Sequence, residues 1–216
     1  MTQRIPARAV LLDMDGTLVD STAVVERLWL EWAQPHGLDP QRVLQVVHGR
    51  QGHQSMAILL PERDHAINLA ENAEMLAREA ADVDGVVAIG GAQQLLSALE
   101  RHPHAIVTSA NVALMTARME AAGLAVPDLT ITAESVTASK PHPEGFLKAA
   151  SLLGVEPADC VVFEDSPAGI QAGLTAGMRV VGVGGPATAN GPTYAVDDLT
   201  EITIIERPDG FELTIG

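Results

Sequence analysis

Asp13 and Asp15 stand two positions apart, directly after the aliphatic run Ala9-Val10-Leu11-Leu12. In extended backbone, residues i and i+2 face the same way, so both carboxylates point to one side. Two like charges so placed repel unless a proton or a cation comes between them. A hard divalent ion such as Mg²⁺, which takes one or two carboxylates together with phosphate oxygens, suits the pair. Gly16 lets the backbone turn tightly beside a ligand. Taken alone, an Asp-x-Asp-Gly segment is equally well a solvated turn.

Other segments add chemistry. Thr108-Ser109-Ala110-Asn111 sits between a strand-like and a helix-like segment, where hydroxyls and free amides can bind an anion or simply cap the helix. The chain has two lysines, Lys140 and Lys148. Lys140 is mounted between Ser139 and Pro141-His142-Pro143, a stiffened loop that makes it the candidate fixed cation. Glu164 and Asp165 follow Cys160-Val161-Val162-Phe163. They either cap the next helix, favoured by its dipole, or join Asp13 and Asp15 around a cation. His48-Gly49-Arg50-Gln51 offers donors on a glycine turn, and reads equally as an ordinary polar turn between helices.

These residues need elements that deliver them to one place. Short aliphatic runs at 9–12, 105–107, 129–132, 160–163 and 180–183 suit strands buried on both faces, as in a parallel sheet. Helical patterns at 91–99, 112–122, 143–153 and 166–176 alternate with them. The last three are followed by Gly123, Gly154 and Gly177, and Ser166-Pro167 reads as an N-cap with proline at the first helical position. The alternation predicts an α/β fold, a doubly wound, Rossmann-like parallel sheet with its site beyond the carboxyl ends of the strands. Residues 21–87 break the rhythm. They carry helical patterns only, and predict an all-helical cap inserted after the first strand, leaving 1–20 and 88–216 as the α/β core. Trp29 and Trp32 read as packing inside that cap. Gly184 to Gly191 reads as a connector, Cys160 as inert packing, and residues 201–215 as a hairpin about Pro208-Asp209-Gly210.

Composition narrows the partners. The net charge of −15 disfavours nucleic acid and anionic membranes, which need clustered Lys and Arg. No apolar run spans a bilayer, no signal peptide is recognisable, and a lone cysteine fits a reducing compartment. The expectation is a cytoplasmic protein, monomer or weak homodimer, acting on a small molecule.

In order and setting, DMDGTLVDS, IVTSAN, SKPHP and FEDSPAGIQAG resemble the four motifs of the haloacid dehalogenase superfamily, over nearly the whole chain. The chain looks most like the β-phosphoglucomutase-like branch of small sugar and polyol phosphatases. That resemblance implies Asp13 as the nucleophile forming an aspartyl-phosphate, and Asp15 as general acid and base. It implies Mg²⁺ held by Asp13, the Asp15 carbonyl and Asp165, with Glu164 acting directly or through water. Thr108 and Ser109 would hold the phosphoryl group of a small phosphate ester, with Asn111 nearby, and Lys140 would offset charge. His48, Gly49, Arg50 and Gln51 resemble a substrate-reading segment of that branch. Asp15 argues against a dehalogenase, and a lysine-free cap against a phosphonoacetaldehyde hydrolase. Val25, standing where mutases carry a cap histidine, argues against a phosphosugar mutase. A non-catalytic phosphate-binding protein on the same fold is the rival of another class.

Overall fold

A computed structural model of the chain describes residues 2–48, 50–208 and 210–216, without the side chains of Pro186 and Thr188. Gly49 and Asp209, named above, lie outside the described residues. Six parallel strands form the central sheet: β2 (Ala9–Leu12), β5 (His104–Val107), β6 (Thr130–Ile131), β7 (Cys160–Glu164), β8 (Arg179–Val183) and β9 (Tyr194–Val196). Their order is β6-β5-β2-β7-β8-β9.

The aliphatic runs are continuous because both faces of the sheet are covered. Val10, Leu12, Ile106, Val161 and Phe163 face α5 (Ala92–Leu99) and α6 (Val112–Ala121). Ala9, Leu11, Ala105, Cys160 and Val162 face α7 (Glu144–Leu153) and α8 (Pro167–Thr175). The period of two thus divides each strand between two apolar layers. Ser166 caps α8 as its sequence suggests, its side chain accepting from the Gly169 amide at 3.1 Å. Because β5 and β7 pair with opposite edges of β2, the chain leaves β2 at a topological switch point, where open α/β sheets bind ligands.

Some expectations are revised. The run at 129–132 is a strand only at 130–131, because Thr132 opens a capping box for the 3₁₀ turn that follows. The connector after β8 contains a 3₁₀ segment, and beyond it β9 adds a sixth strand that the sequence reading omits. Also unforeseen is β1 (Gln3–Ala7), which pairs antiparallel with β11 (Gly210–Ile215). β11 in turn pairs with β10 (Ile202–Arg207), the expected hairpin.

Between β2 and the next core helix, the chain forms a short antiparallel ribbon of β3 (Val19–Asp20) and β4 (Val87–Ala88). Within that ribbon lie α1 (Thr22–Ala33), α2 (Pro40–Leu44), α3 (Gly52–Leu59) and α4 (His65–Ala81). These helices have a small core of their own, built on Trp29, Val43, Met56, Leu59 and Met75. Trp29 and Trp32 meet edge-to-face at 5.4 Å, and the Trp32 indole donates to Glu71 at 2.6 Å. The helical segment touches the sheet domain through α4 against α6.

Candidate active site

The first carboxylate extends the β2 line by one residue. Its amide donates to the Phe163 carbonyl on β7 at 3.0 Å, so the sheet itself sets the start of the loop. The Asp13 side chain is buried and its Oδ1 accepts a hydrogen bond from Lys140 Nζ. Lys140 also donates to Glu164 Oε1 at 2.5 Å, and its ammonium lies 5.2 Å from the centre of the Phe146 ring. Glu164 Oε2 accepts from the Ser166 amide at 2.9 Å and hydroxyl at 3.0 Å. The acid at the end of β7 thus both anchors the lysine and holds the cap of α8. A Cβ on Gly169 would stand 1.7 Å from Glu164, so glycine makes the room for that carboxylate.

Asp165 completes the cluster. Asp13, Glu164 and Asp165 each offer a carboxylate oxygen within 4.8 Å of the others. Asp165 Oδ1 is buried without a partner among the described residues. Gly16, at φ +84°, brings its backbone against Asp165, where a Cβ would lie 2.0 Å from Oδ2. Burial, and then the Glu164 carboxylate, push the Asp13 carboxyl up to about 8 despite Lys140. Burial, then Glu164 and Asp13, push Asp165 well above the carboxylate range. For Lys140, burial works against the charged form, but Asp13 and Glu164 outweigh it and hold the ammonium protonated. Three carboxylates sharing one ammonium are short of positive charge. An orphaned buried oxygen beside a glycine cradle therefore fits a hard divalent cation with oxygen ligands.

Asp15 belongs to the same loop but not to this cluster. Its Oδ1 accepts from Ser21 Oγ at 2.7 Å and forms an ion pair with Arg118 Nη1 at 2.7 Å. Arg118, on α6, reaches Glu79 on α4 with its other terminal nitrogen, also at 2.7 Å. Burial, opposed by Arg118, raises the Glu79 carboxyl above its ordinary value.

The sheet domain and the helices enclose a cavity between them. Asp13, Asp15, Thr108, Ser109, Asp165, His48 and Arg50 all line it, as do Val25, Trp29, Asn72, Glu79 and Arg118. The Thr108 hydroxyl oxygen accepts from the Ala110 amide at 3.0 Å, which leaves its proton free to donate. Ser109 Oγ and Arg50 Nε are buried without partners among the described residues. His48 lies 3.7 Å from Glu26. Of the substrate-binding candidates, two fall elsewhere. Gln51 lines an adjoining cavity beside Ser139 and Lys140. Asn111 is used as the N-cap of α6, its side chain accepting from the Leu114 amide at 2.8 Å, and lines neither cavity. Sequence reasoning missed Glu79, Arg118 and Asn72, which look like ordinary solvated helix positions. It read Trp29 as packing alone, whereas Trp29 also walls the cavity.

Comparison with known proteins agrees with this geometry. Residues 7–177 match the haloacid dehalogenase-like hydrolase family. The chain is 41% identical over 208 residues to hexitol phosphatase A of Escherichia coli (strain K12), covering 94% of this chain and 96% of that protein. It is 32% identical to 2-deoxyglucose-6-phosphate phosphatase 2 of Saccharomyces cerevisiae, covering 91% and 90%. In fold it is similar to β-phosphoglucomutase from Clostridium difficile, with a TM-score of 0.76 at 22% identity, covering 91% of this chain and 93% of that one.

Proposed function

Because the chain belongs to the haloacid dehalogenase-like hydrolase family, we propose that it cleaves a small phosphorylated sugar or polyol through a phosphoenzyme on Asp13. It is a phosphoric monoester hydrolase, in line with phosphatase relatives that it matches along nearly their whole length. The observation that carries the mechanism is the opening of Asp13 and Asp15 into one cavity, with Lys140 bonded to the first carboxylate.

In this reading Lys140 engages Oδ1 of Asp13 and leaves Oδ2 to attack phosphorus. The P–O bond to the sugar breaks as the P–O bond to Asp13 forms, and Asp15 protonates the departing alkoxide. Water then attacks the aspartyl-phosphate and gives its proton to Asp15, which frees Asp13 and inorganic phosphate. The Thr108 hydroxyl and the Ser109 amide hold phosphoryl oxygens, a task of positioning and charge stabilisation. Mg²⁺, held by Asp13, the Asp15 carbonyl and Asp165, with Glu164 acting directly or through water, would supply the missing positive charge beside the phosphoryl group.

Residues 21–87 act as a cap on a core of 1–20 and 88–216, and the cap reads the substrate. His48 and Arg50 supply donors for hydroxyls, while Val25 and Trp29 supply apolar wall. Val25 occupies the place where a mutase would need a histidine, which favours hydrolysis. The relatives' names point the same way, to hexitol and deoxyglucose phosphates. No helix among the described residues is long and apolar enough to cross a membrane. We place the enzyme in the cytoplasm, where its buried free thiol would stay reduced.

The test is Asp13→Asn with a hexitol phosphate. Turnover is expected to fall on the order of 10⁴-fold or more, as for removal of a nucleophile. Unchanged turnover would sink the mechanism.

A further inference from the structure

Among the described residues, Arg118 is the only arginine that is buried, with 3% of its side chain exposed. A charge so placed is costly unless its partners are well arranged. Here one terminal nitrogen of the guanidinium donates to Glu79 and the other pairs in charge with Asp15, both at 2.7 Å, while Nε has no partner among the described residues. A lysine's point charge cannot present two donors in that fixed fork. Three elements therefore meet on one side chain: the loop after β2, α6, and the last turn of α4 just before the chain re-enters the ribbon at β4.

The consequence for Asp15 is geometric. Its Oδ1 is taken by Arg118 and by Ser21. Oδ2 is left without a protein partner among the described residues, on a carboxylate that lines the cavity. The opposite side of the helical segment is tied down as well, since Ser139 Oγ donates to Gln54 Oε1 on α3 at 2.9 Å, next to Lys140. The helices are thus fastened to the sheet domain on both sides of the cavity. On the Asp15 side, the fastening passes through the residue that must exchange the proton.

We propose that Arg118 is a positioning residue: anchored by Glu79 on α4, it fixes the Asp15 carboxylate so that Oδ2 meets the leaving oxygen. This rests on the acid/base reading of Asp15.

The experiment uses the double variant Glu79→Gln/Arg118→Met, which leaves no lone charge buried, alongside Arg118→Lys and Asp15→Asn. Each is measured with a hexitol phosphate at steady state, and with 4-nitrophenyl phosphate in single turnover, where the leaving group departs without a proton. The double variant is expected to lose roughly 10- to 100-fold in kcat on the alkyl ester, part of what a general acid supplies. Its KM is expected to stay near the wild-type value, and phosphoenzyme formation from the nitrophenyl ester to be nearly unchanged. Arg118→Lys, which keeps the cation without the fork, is expected to recover part of the alkyl-ester kcat. Asp15→Asn should show the same pattern more deeply. Equal losses on both esters, or none on either, in the Arg118 variants would overturn the proposal while leaving Asp15 in its role. Full alkyl-ester turnover by Asp15→Asn would instead remove the acid/base reading beneath it.

Discussion

On the strand-end wall of the cavity, Asp13 and Asp165 cluster with Glu164 behind them, and the single ammonium of Lys140 pairs with Asp13 and Glu164. On the opposite wall, one guanidinium lies between Asp15 and Glu79, and the surrounding surface mixes donors with Val25, Trp29 and Leu76. Burial, and then the crowding of like charges on the first wall, raises the carboxyls of Asp13 and Asp165. That wall is a poor place for a phosphate dianion until a cation joins it. The second wall is amphipathic, which suits a molecule that is carbon chain and hydroxyls at once. Sheet-anchored loops thus carry the step that needs fixed atoms, and helix faces carry the part that must fit a substrate.

This contrast makes predictions that decrease in size from one wall to the other. Stripping divalent metal with a chelator acts on the surplus charge. Turnover is expected to fall by several kcal/mol of transition-state stabilisation, on the order of 10³-fold, and to return with Mg²⁺. The melting temperature should rise with added Mg²⁺, because the ion binds the assembled cluster and not the unfolded chain. Full activity in excess chelator would remove the case for a cation on this wall.

Lys140→Met breaks the same cluster from within. It leaves buried carboxylates without their counter-charge, so denaturation should show a loss of about 3–5 kcal/mol and kinetics a loss of roughly 10²-fold. A variant as stable as the wild type would mean that the acids simply take up protons, and that the lysine is not their keystone.

Arg50→Ala probes the other wall and should be the mildest. Arg50 is only half-buried, so stability should stay within about 0.5 kcal/mol. The ranking among a panel of sugar and polyol phosphates should nevertheless shift roughly tenfold, read as ratios of kcat/KM. An unchanged ranking would assign recognition to other cavity residues such as Asn72.

The two walls were unequally legible in the sequence. Asp13, Thr108, Glu164 and Asp165 follow strands whose aliphatic runs announce themselves, because a strand covered on both faces tolerates few polar residues. Lys140 stood out through its scarcity and its prolines. β9 was missed because three residues, Tyr194-Ala195-Val196, carry no periodicity. β1 escaped because it contains Pro6 and its partner, β11, lies at the other end of the chain. Asn111 reads identically as a ligand or a cap, and its geometry assigns it to the cap. Arg118 and Glu79 lie on helices where charged residues are ordinarily solvated, so nothing in their spacing pointed inward.

The sequence by itself determined the alternation of strand and helix, the loops that carry the reactive groups and the run of helices that follows the strand ending before Asp13. These follow from local patterns: hydrophobic period, glycine and proline punctuation, and carboxylates at strand ends. Only the tertiary structure decided which charges share a counter-ion, that Asp165 keeps an orphaned oxygen, and that Arg118 joins Asp15 to Glu79. Those facts depend on contacts between residues far apart in the chain, 103 positions in the case of Asp15 and Arg118 (118 minus 15). Burial, which turns an ordinary charged side chain into one that needs specific partners, exists only once the chain has closed on itself.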